Sequence, residues 1–164
     1  MELLVTRMVF AGPNLPDLRP MPLPESRVVE RRMPPSAYLD LYLRVGTSVQ
    51  WDDRLRLSSD ELERHLAADA TRIFGLEIGG SLHGFCEFTD CDGPSITLAN
   101  FGVVPGLRGR GFGRRLLATA VRTVWRPGTR IVLETDTNDD SRAIGVYADA
   151  GFFMTERFWK TFPD

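Results

Sequence analysis

The 164-residue chain holds only two cysteines, Cys86 and Cys91, and two histidines, His65 and His83. So few ligands cannot be assembled at zinc spacing, and no metal is expected. Two isolated thiols read as reduced cysteines. No apolar run approaches the roughly 18 residues that a membrane helix needs. The start, Met-Glu-Leu-Leu-Val-Thr-Arg, lacks the basic segment and long apolar stretch of an export signal. A cytoplasmic protein without a membrane partner is the expectation. The formal net charge is -2, so no chain-wide basic excess invites wholesale nucleic-acid binding. Repeats and low-complexity tracts are absent too.

A further absence is local. From Leu107 to Leu117 the chain reads Leu-Arg-Gly-Arg-Gly-Phe-Gly-Arg-Arg-Leu-Leu, without one acid. Leu116, Leu117, Ala120, Val121 and Val124 then recur at helical spacing, which makes this run a helix start. A helix N-terminus already carries roughly half a positive charge and several unpaired N–H groups, so acids belong there. Arg108, Arg110, Arg114 and Arg115 therefore imply an anion from outside the chain. Gly109, Gly111 and Gly113 allow a tight turn and remove the side chains that would hold a phosphate off the N–H groups. A phosphorylated ligand follows.

The remaining pattern predicts an α/β (α+β) chain, with an arm over residues 1–26 and one domain over 27–164. Residues 1–10 read as a short strand. Five prolines between 12 and 24 predict an extended segment that wraps the surface or meets a second subunit. A strand is expected over 28–33 and a helix over 36–45 behind Pro34-Pro35. A second helix begins at the capping box Ser58-Ser59-Asp60-Glu61. Residues 72–78 and 82–89 flank Gly79-Gly80-Ser81 as a hairpin, and 95–104 forms the next strand. A strand over 130–135, a helix over 141–150 and an aromatic-rich strand over 152–162 complete a mixed, mostly antiparallel sheet flanked by about four helices.

Two motifs in this order carry a family resemblance. Arg108-x-x-Gly111-x-Gly113 directly follows a strand ending Val103-Val104-Pro105. Thirty residues on stands Asp140-x-x-Ala143-x-x-x-Tyr147-x-x-x-Gly151-Phe152. Together they resemble the GNAT acyl-CoA acyltransferases, and the fold-level likeness extends over about residues 27–162. The resemblance implies acetyl-CoA as donor and a primary amine, on a small molecule or a peptide, as acceptor. Backbone N–H groups of Arg108, Gly109, Arg110, Gly111, Phe112, Gly113 and Arg114 would hold the pyrophosphate, with arginine side chains adding charge-assisted bonds. Phe101, Val103 and Val104 would bind the pantetheine arm as an added strand does. Gly102 would mark a bulge whose splay exposes the Phe101 N–H to the thioester oxygen. Asn138, Asp140 and Ala143 complete the implied cofactor set. Asp140 stands where the family has Asn, so it can cap a helix but cannot donate an amide N–H.

The amine would attack the thioester directly, in a ternary complex. Tyr147 is the implied acid for the leaving thiolate. For the base, Glu87 in the apolar strand Phe85-Cys86-Glu87-Phe88 has two open readings. Burial would raise its pKa toward base chemistry, or alternation would point it to solvent. Glu134, Asp136 and a water held by Asn100 are the other candidates. Trp51 and Asp53 would receive a cationic amine. Cys86 and Cys91 have no evident histidine partner for nucleophilic chemistry. A silent CoA-binding domain and a nucleic-acid module built on Arg108–Arg115 stay open as alternatives. The proline segment and Phe158-Trp159-Lys160-Thr161-Phe162 make a homodimer an expectation.

Overall fold

The computed structural model describes residues 1–164. The elements run β1 (Glu2–Phe10), β2 (Ser26–Glu30), α1 (Pro35–Gly46), α2 (Ser59–Ala67), β3 (Arg72–Ile78), β4 (Ser81–Thr89), β5 (Ser95–Val103), α3 (Phe112–Val124), β6 (Arg130–Asp136), α4 (Ala143–Asp149) and β7 (Phe153–Thr161). Short 3-10 turns at Thr47–Val49 and Asp53–Arg56 bridge α1 and α2, and another at Pro105–Leu107 leads into α3. No helix is long and apolar enough to cross a membrane.

Local signals set most boundaries. The Ser58 hydroxyl accepts from the Glu61 N–H at 3.1 Å while the Glu61 carboxylate accepts from the Ser58 N–H at 3.0 Å, the expected capping box. Leu116, Leu117, Ala120 and Val121 on α3 are fully buried, as their helical period requires. The expected helix over 141–150 is shorter than predicted, because an Asx turn occupies its first residues. Asp140 accepts from the Arg142 N–H at 2.9 Å, and the helix begins only at Ala143.

One seven-stranded sheet has the order β2-β3-β4-β5-β6-β1-β7, antiparallel except where β5 meets β6. Alternation sends Phe74, Cys86 and Phe88 to the larger core beneath α3 and α4. Ile73 and Phe85 point to a second core with Tyr38, Tyr42 and Leu62 from α1 and α2. β1 does not behave as an appendage. It lies between β6 and β7, antiparallel to both, and buries Val5, Met8 and Phe10. The prolines that follow keep residues 11–25 out of the sheet, and the segment wraps α3 of its own chain. Arg115 and Arg122 donate to the carbonyls of Arg19 and Pro16 at 2.6 and 3.1 Å, while Leu15, Met21 and Leu23 pack on the larger core.

Candidate active site

The site begins with a failure of strand pairing. β5 and β6 are in register only from Ser95–Arg130 to Thr97–Val132, and beyond those pairs their edges diverge into a wedge. The Val104 N–H donates to the His83 carbonyl at 2.9 Å on the β4 side. By ladder alternation, the backbone groups of Phe101 and Val103 therefore face the wedge. The expected bulge at Gly102 is corrected: Gly102 pairs regularly with Phe85, and the irregularity falls at Ala99, between the Glu87–Asn100 and Phe88–Leu98 pairs. Glycine serves another purpose at 102. A Cβ there would sit 2.8 Å from Val45 Cγ1 and 3.6 Å from the Trp51 ring, so its absence lets α1 and Trp51 close over the strand.

A cleft of about 250 Å³ opens from this wedge. Its walls bring together Trp51, Phe101, Val103, Arg108, Gly109, Gly111, Gly113, Arg114, Asp140, Ala143 and Tyr147 from the sequence-derived set. Val45, Val49, Asp139, Arg142 and Val146 also line it. The sequence reading missed these five, although Arg142 and Val146 stand at unspecified positions inside the second motif. Six of the expected site residues lie off the wall, Asp53, Glu87, Val104, Arg110, Phe112 and Asn138, as do the other base candidates Asn100, Glu134 and Asp136. Val104 spends its N–H on His83 and its carbonyl on the Leu107 N–H at 2.9 Å, and Phe112 is fully buried in the core. Asn138 instead reaches Gln50 Oε1 at 3.5 Å.

At one end of the cleft stands the α3 N-terminus. Gly109 and Gly111 have φ of +73° and +91°, the left-handed region where a side chain is strained. Gly111 caps the helix without a side chain, and no acid occupies the first turn. The first intrahelical bond runs from the Arg115 N–H to the Gly111 carbonyl at 3.3 Å. Phe112, Gly113 and Arg114 thus have no helical acceptor for their N–H groups. A Cβ at Gly109 would collide with the Arg142 guanidinium, which lies across the loop. Arg142 is held there by Asp140 at 3.0 and 3.1 Å, a pairing that lowers the Asp140 pKa.

The arginine cluster is less free than its composition implies. Arg108 folds back to the Val45 carbonyl at 2.8 Å and Ser48 Oγ at 2.9 Å, where its charge suits the C-terminal end of α1. Arg114 pairs with Asp149, and Arg115 binds the wrapped segment. Arg110 alone is exposed, over the Phe112 ring at 5.5 Å.

Tyr147 forms the apolar end. It is 7 % exposed, between the rings of Phe101 and Phe152 at centroid distances of 5.6 and 6.0 Å. Its hydroxyl makes no hydrogen bond within the protein. Burial first, then Asp139 and Cys86, raise its pKa well above the ordinary tyrosine value. The Cys86 thiol is also pushed well up by burial, away from thiolate character.

Glu87 is neither solvent-facing nor raised in pKa, and both expectations are corrected. It is fully buried on the α1–α2 face. One carboxylate oxygen accepts from the Tyr38 hydroxyl and from Asn100 Nδ2 at 3.2 Å. The other meets Arg54 Nη2 and His65 Nε2, each at 2.6 Å. Burial pushes its pKa up, but His65, Arg54 and Tyr38 outweigh burial and hold it below 4.5. Arg54 belongs to the 3-10 turn that carries Asp53, so Glu87 anchors the loop running from Trp51. Trp51 packs against Tyr42 and Phe85 at 5.5 and 5.9 Å. Across from this loop, Asp136 at the end of β6 is half-buried. Burial, followed by the charges of Asp139 and Asp53, raises its pKa despite the Asn138 N–H. No group of three His, Cys, Asp or Glu side chains is gathered to hold a metal ion.

Comparisons with known proteins converge on one fold. A putative GNAT acetyltransferase from Novosphingobium aromaticivorans superposes with a TM-score of 0.67 at 18% identity, over 97% of this chain and 63% of that one. A GCN5-related N-acetyltransferase from Sphaerobacter thermophilus gives 0.70 at 15% identity, over 96% and 51%. An aminoglycoside acetyltransferase from an uncultured soil metagenomic sample, solved with trehalose, gives 0.62 at 12% identity, over 77% and 88%. The chain thus spans between half and two thirds of the first two neighbours' lengths. No curated protein matches it. The family profile for GNAT acetyltransferases covers residues 37–152, which include the wedge, the glycine loop and Tyr147. This chain belongs to the acetyltransferase (GNAT) family.

Proposed function

We propose that the protein transfers an acetyl group from acetyl-CoA to a primary amine by direct attack, with both reactants held at once. The observation that carries this reading is the continuity of one cleft. It joins the uncapped α3 N-terminus, the unpaired edge of β5 and the buried Tyr147 hydroxyl. Coenzyme A fits that sequence of surfaces. The N–H groups of Phe112, Gly113 and Arg114, with Arg110 and Arg142 nearby, suit a pyrophosphate. The backbone of Phe101 and Val103 suits the amides of a pantetheine arm.

In this reading the Phe101 N–H faces the thioester oxygen and stabilises the charge that develops there. Asp136 takes the ammonium proton, which a carboxylate of raised pKa does more readily than an ordinary one. The amine nitrogen then bonds the acetyl carbon, the carbon–sulfur bond breaks as Tyr147 gives its proton to the departing sulfur, and the second nitrogen proton, shed as the amide forms, passes through solvent back to Tyr147. A strongly raised tyrosine pKa keeps that proton in place until the thiolate forms. Trp51 and the carboxylates of Asp53 and Asp136 would favour a cationic acceptor with apolar carbon beside the charge. Glu87, whose two oxygens are both engaged, is assigned to holding Arg54 and the acceptor loop.

The test is release of free thiol from acetyl-CoA across a panel of polyamines, amino acids and peptide amines, read with a thiol-reactive dye. Amine-dependent release with the acetylated product in the mass spectrum is expected. Binding of CoA without release for any amine would replace this reading with a CoA-binding domain lacking turnover. Failure to bind CoA would remove the donor assignment.

A further inference from the structure

The proline-rich segment between β1 and β2 lies outside the family profile, which begins at residue 37. Its path over α3 nonetheless reaches the anion cradle, where a Cβ at Gly111 would sit 3.6 Å from Pro22 Cγ. Arg115 and Arg122 fix its backbone by holding the carbonyls of Arg19 and Pro16. Between the segment and the helices α3 and α4 is a second cavity, of about 70 Å³. Pro16, Ala118, Val146 and Ala150 give it an apolar wall, with Asp17 and Arg19 at the segment side. Arg114 and Val146 line both this cavity and the main cleft, so the two abut across the Arg114–Asp149 pair.

Most charge around the cradle is already spent within the chain. Arg108 and Arg115 hold carbonyls, Arg114 pairs with Asp149, and Arg142 pairs with Asp140. Arg19 differs, because only its carbonyl is engaged and its guanidinium is exposed without an ion pair. Asp17 is likewise exposed and has no cationic partner. The cavity thus offers one unspent cation and one unspent anion, two residues apart on a fixed backbone, beside an apolar wall. A ligand that answers all three has an anionic group, an N–H donor and a flat apolar body. The far end of coenzyme A has these together. Its ribose 3′-phosphate is a monoester carrying roughly −1.5 to −2 at pH 7, and its adenine supplies an amino group and an aromatic face. The N–H groups of the α3 terminus suit the pyrophosphate, but the monoester needs a cation of its own.

We infer that the second cavity takes the nucleoside end of the donor, with Arg19 binding the ribose 3′-phosphate and Asp17 accepting from the adenine amino group. The inference rests on the coenzyme A reading of the main cleft. It makes the wrapped segment the part of the chain that tells coenzyme A from carriers ending at the pantetheine phosphate.

Calorimetric titration with CoA, 3′-dephospho-CoA and 4′-phosphopantetheine tests it without turnover. The unaltered chain should bind CoA about tenfold or more tighter than dephospho-CoA. Arg19→Ala should lose about tenfold for CoA and leave dephospho-CoA unchanged, so that the discrimination collapses, while Arg19→Lys keeps part of it. Asp17→Ala should weaken CoA and dephospho-CoA alike and leave 4′-phosphopantetheine unchanged. The free variants should keep the parent Tm, since the segment is held through carbonyls that neither substitution removes. Equal binding of CoA and dephospho-CoA by the unaltered chain overturns the proposal and leaves the donor reading intact. So does an Arg19→Ala loss shared by all three ligands, or a discrimination that survives in Arg19→Ala and vanishes in Arg110→Ala. Binding of none of the three overturns the donor reading as well.

Discussion

A buried carboxylate with four donors around it is costly to disturb, and Glu87 is the clearest such residue in the protein. Removing its charge leaves Arg54 at low exposure without a counter-ion, which in buried pairs costs about 3–5 kcal/mol. Glu87→Gln should therefore lose stability of that order in urea unfolding at pH 7. Its pKa lies below the ordinary value in the folded state, so the stabilisation is present above about pH 4.5 and is lost as pH falls through the lowered pKa. The difference between parent and variant should accordingly shrink in acid, and a constant difference would mean that charge is not the cause. The sequence could name Glu87 as unusual in an apolar strand but not its role, because its partners come from positions 38, 54, 65 and 100 and meet only in the fold. Asp136 carries the opposite shift and a different prediction. The pH profile of kcat should rise along a limb displaced above the ordinary carboxylate range, and Asp136→Asn should abolish that limb while leaving acetyl-CoA affinity unchanged. Tyr147→Phe should lower kcat, again without loss of donor affinity, and an unchanged rate would remove Tyr147 as the acid.

At the scale of elements, periodicity and punctuation reveal nearly every helix and strand, because capping boxes, hairpin glycines and amphipathic faces are local. Strand order is not local. The first strand pairs with residues 153–161 at the far end of the chain, and nothing within residues 1–10 states that preference. The expected separation of residues 1–26 from the rest reflects composition, whereas the ladder makes β1 an interior strand, paired on both sides. A consequence is testable. Without residues 1–11, β7 has no partner and β6 keeps only its three parallel pairs with β5. Val5, Met8 and Phe10 would also be lost from the core, each worth about 1.5–3 kcal/mol. The truncated chain should show no cooperative thermal transition by circular dichroism, and a synthetic peptide of residues 1–12 added in trans should restore one. A truncation that melts cooperatively alone would show that β1 is dispensable.

For the whole molecule, the site depends on a sheet that diverges at its centre and on a helix whose positive end faces the gap. The arginine-rich run pointed to this end from composition, but three of its four side chains turn to the protein itself, at the α1 terminus, Asp149 and the wrapped segment. What is left for an anion is chiefly backbone, together with Arg110 and Arg142, and backbone N–H groups become legible only through the glycines that bare them. That division predicts how ligand binding couples to global stability. A ligand that binds only the folded state adds about 2.7 kcal/mol at a hundredfold excess over its Kd. For a domain of this size, that corresponds to a rise in Tm of about 5–10 °C. Coenzyme A should produce such a shift, and Gly111→Glu should abolish it by placing a carboxylate where the cradle needs open N–H groups at a positive φ. Arg108→Gln should instead lower the Tm of the free protein, since that side chain ties β5 to α1, while keeping most of the CoA-induced increment. If Arg108→Gln lost the increment and Gly111→Glu kept it, the anion would be held by side-chain charge and not by the helix terminus.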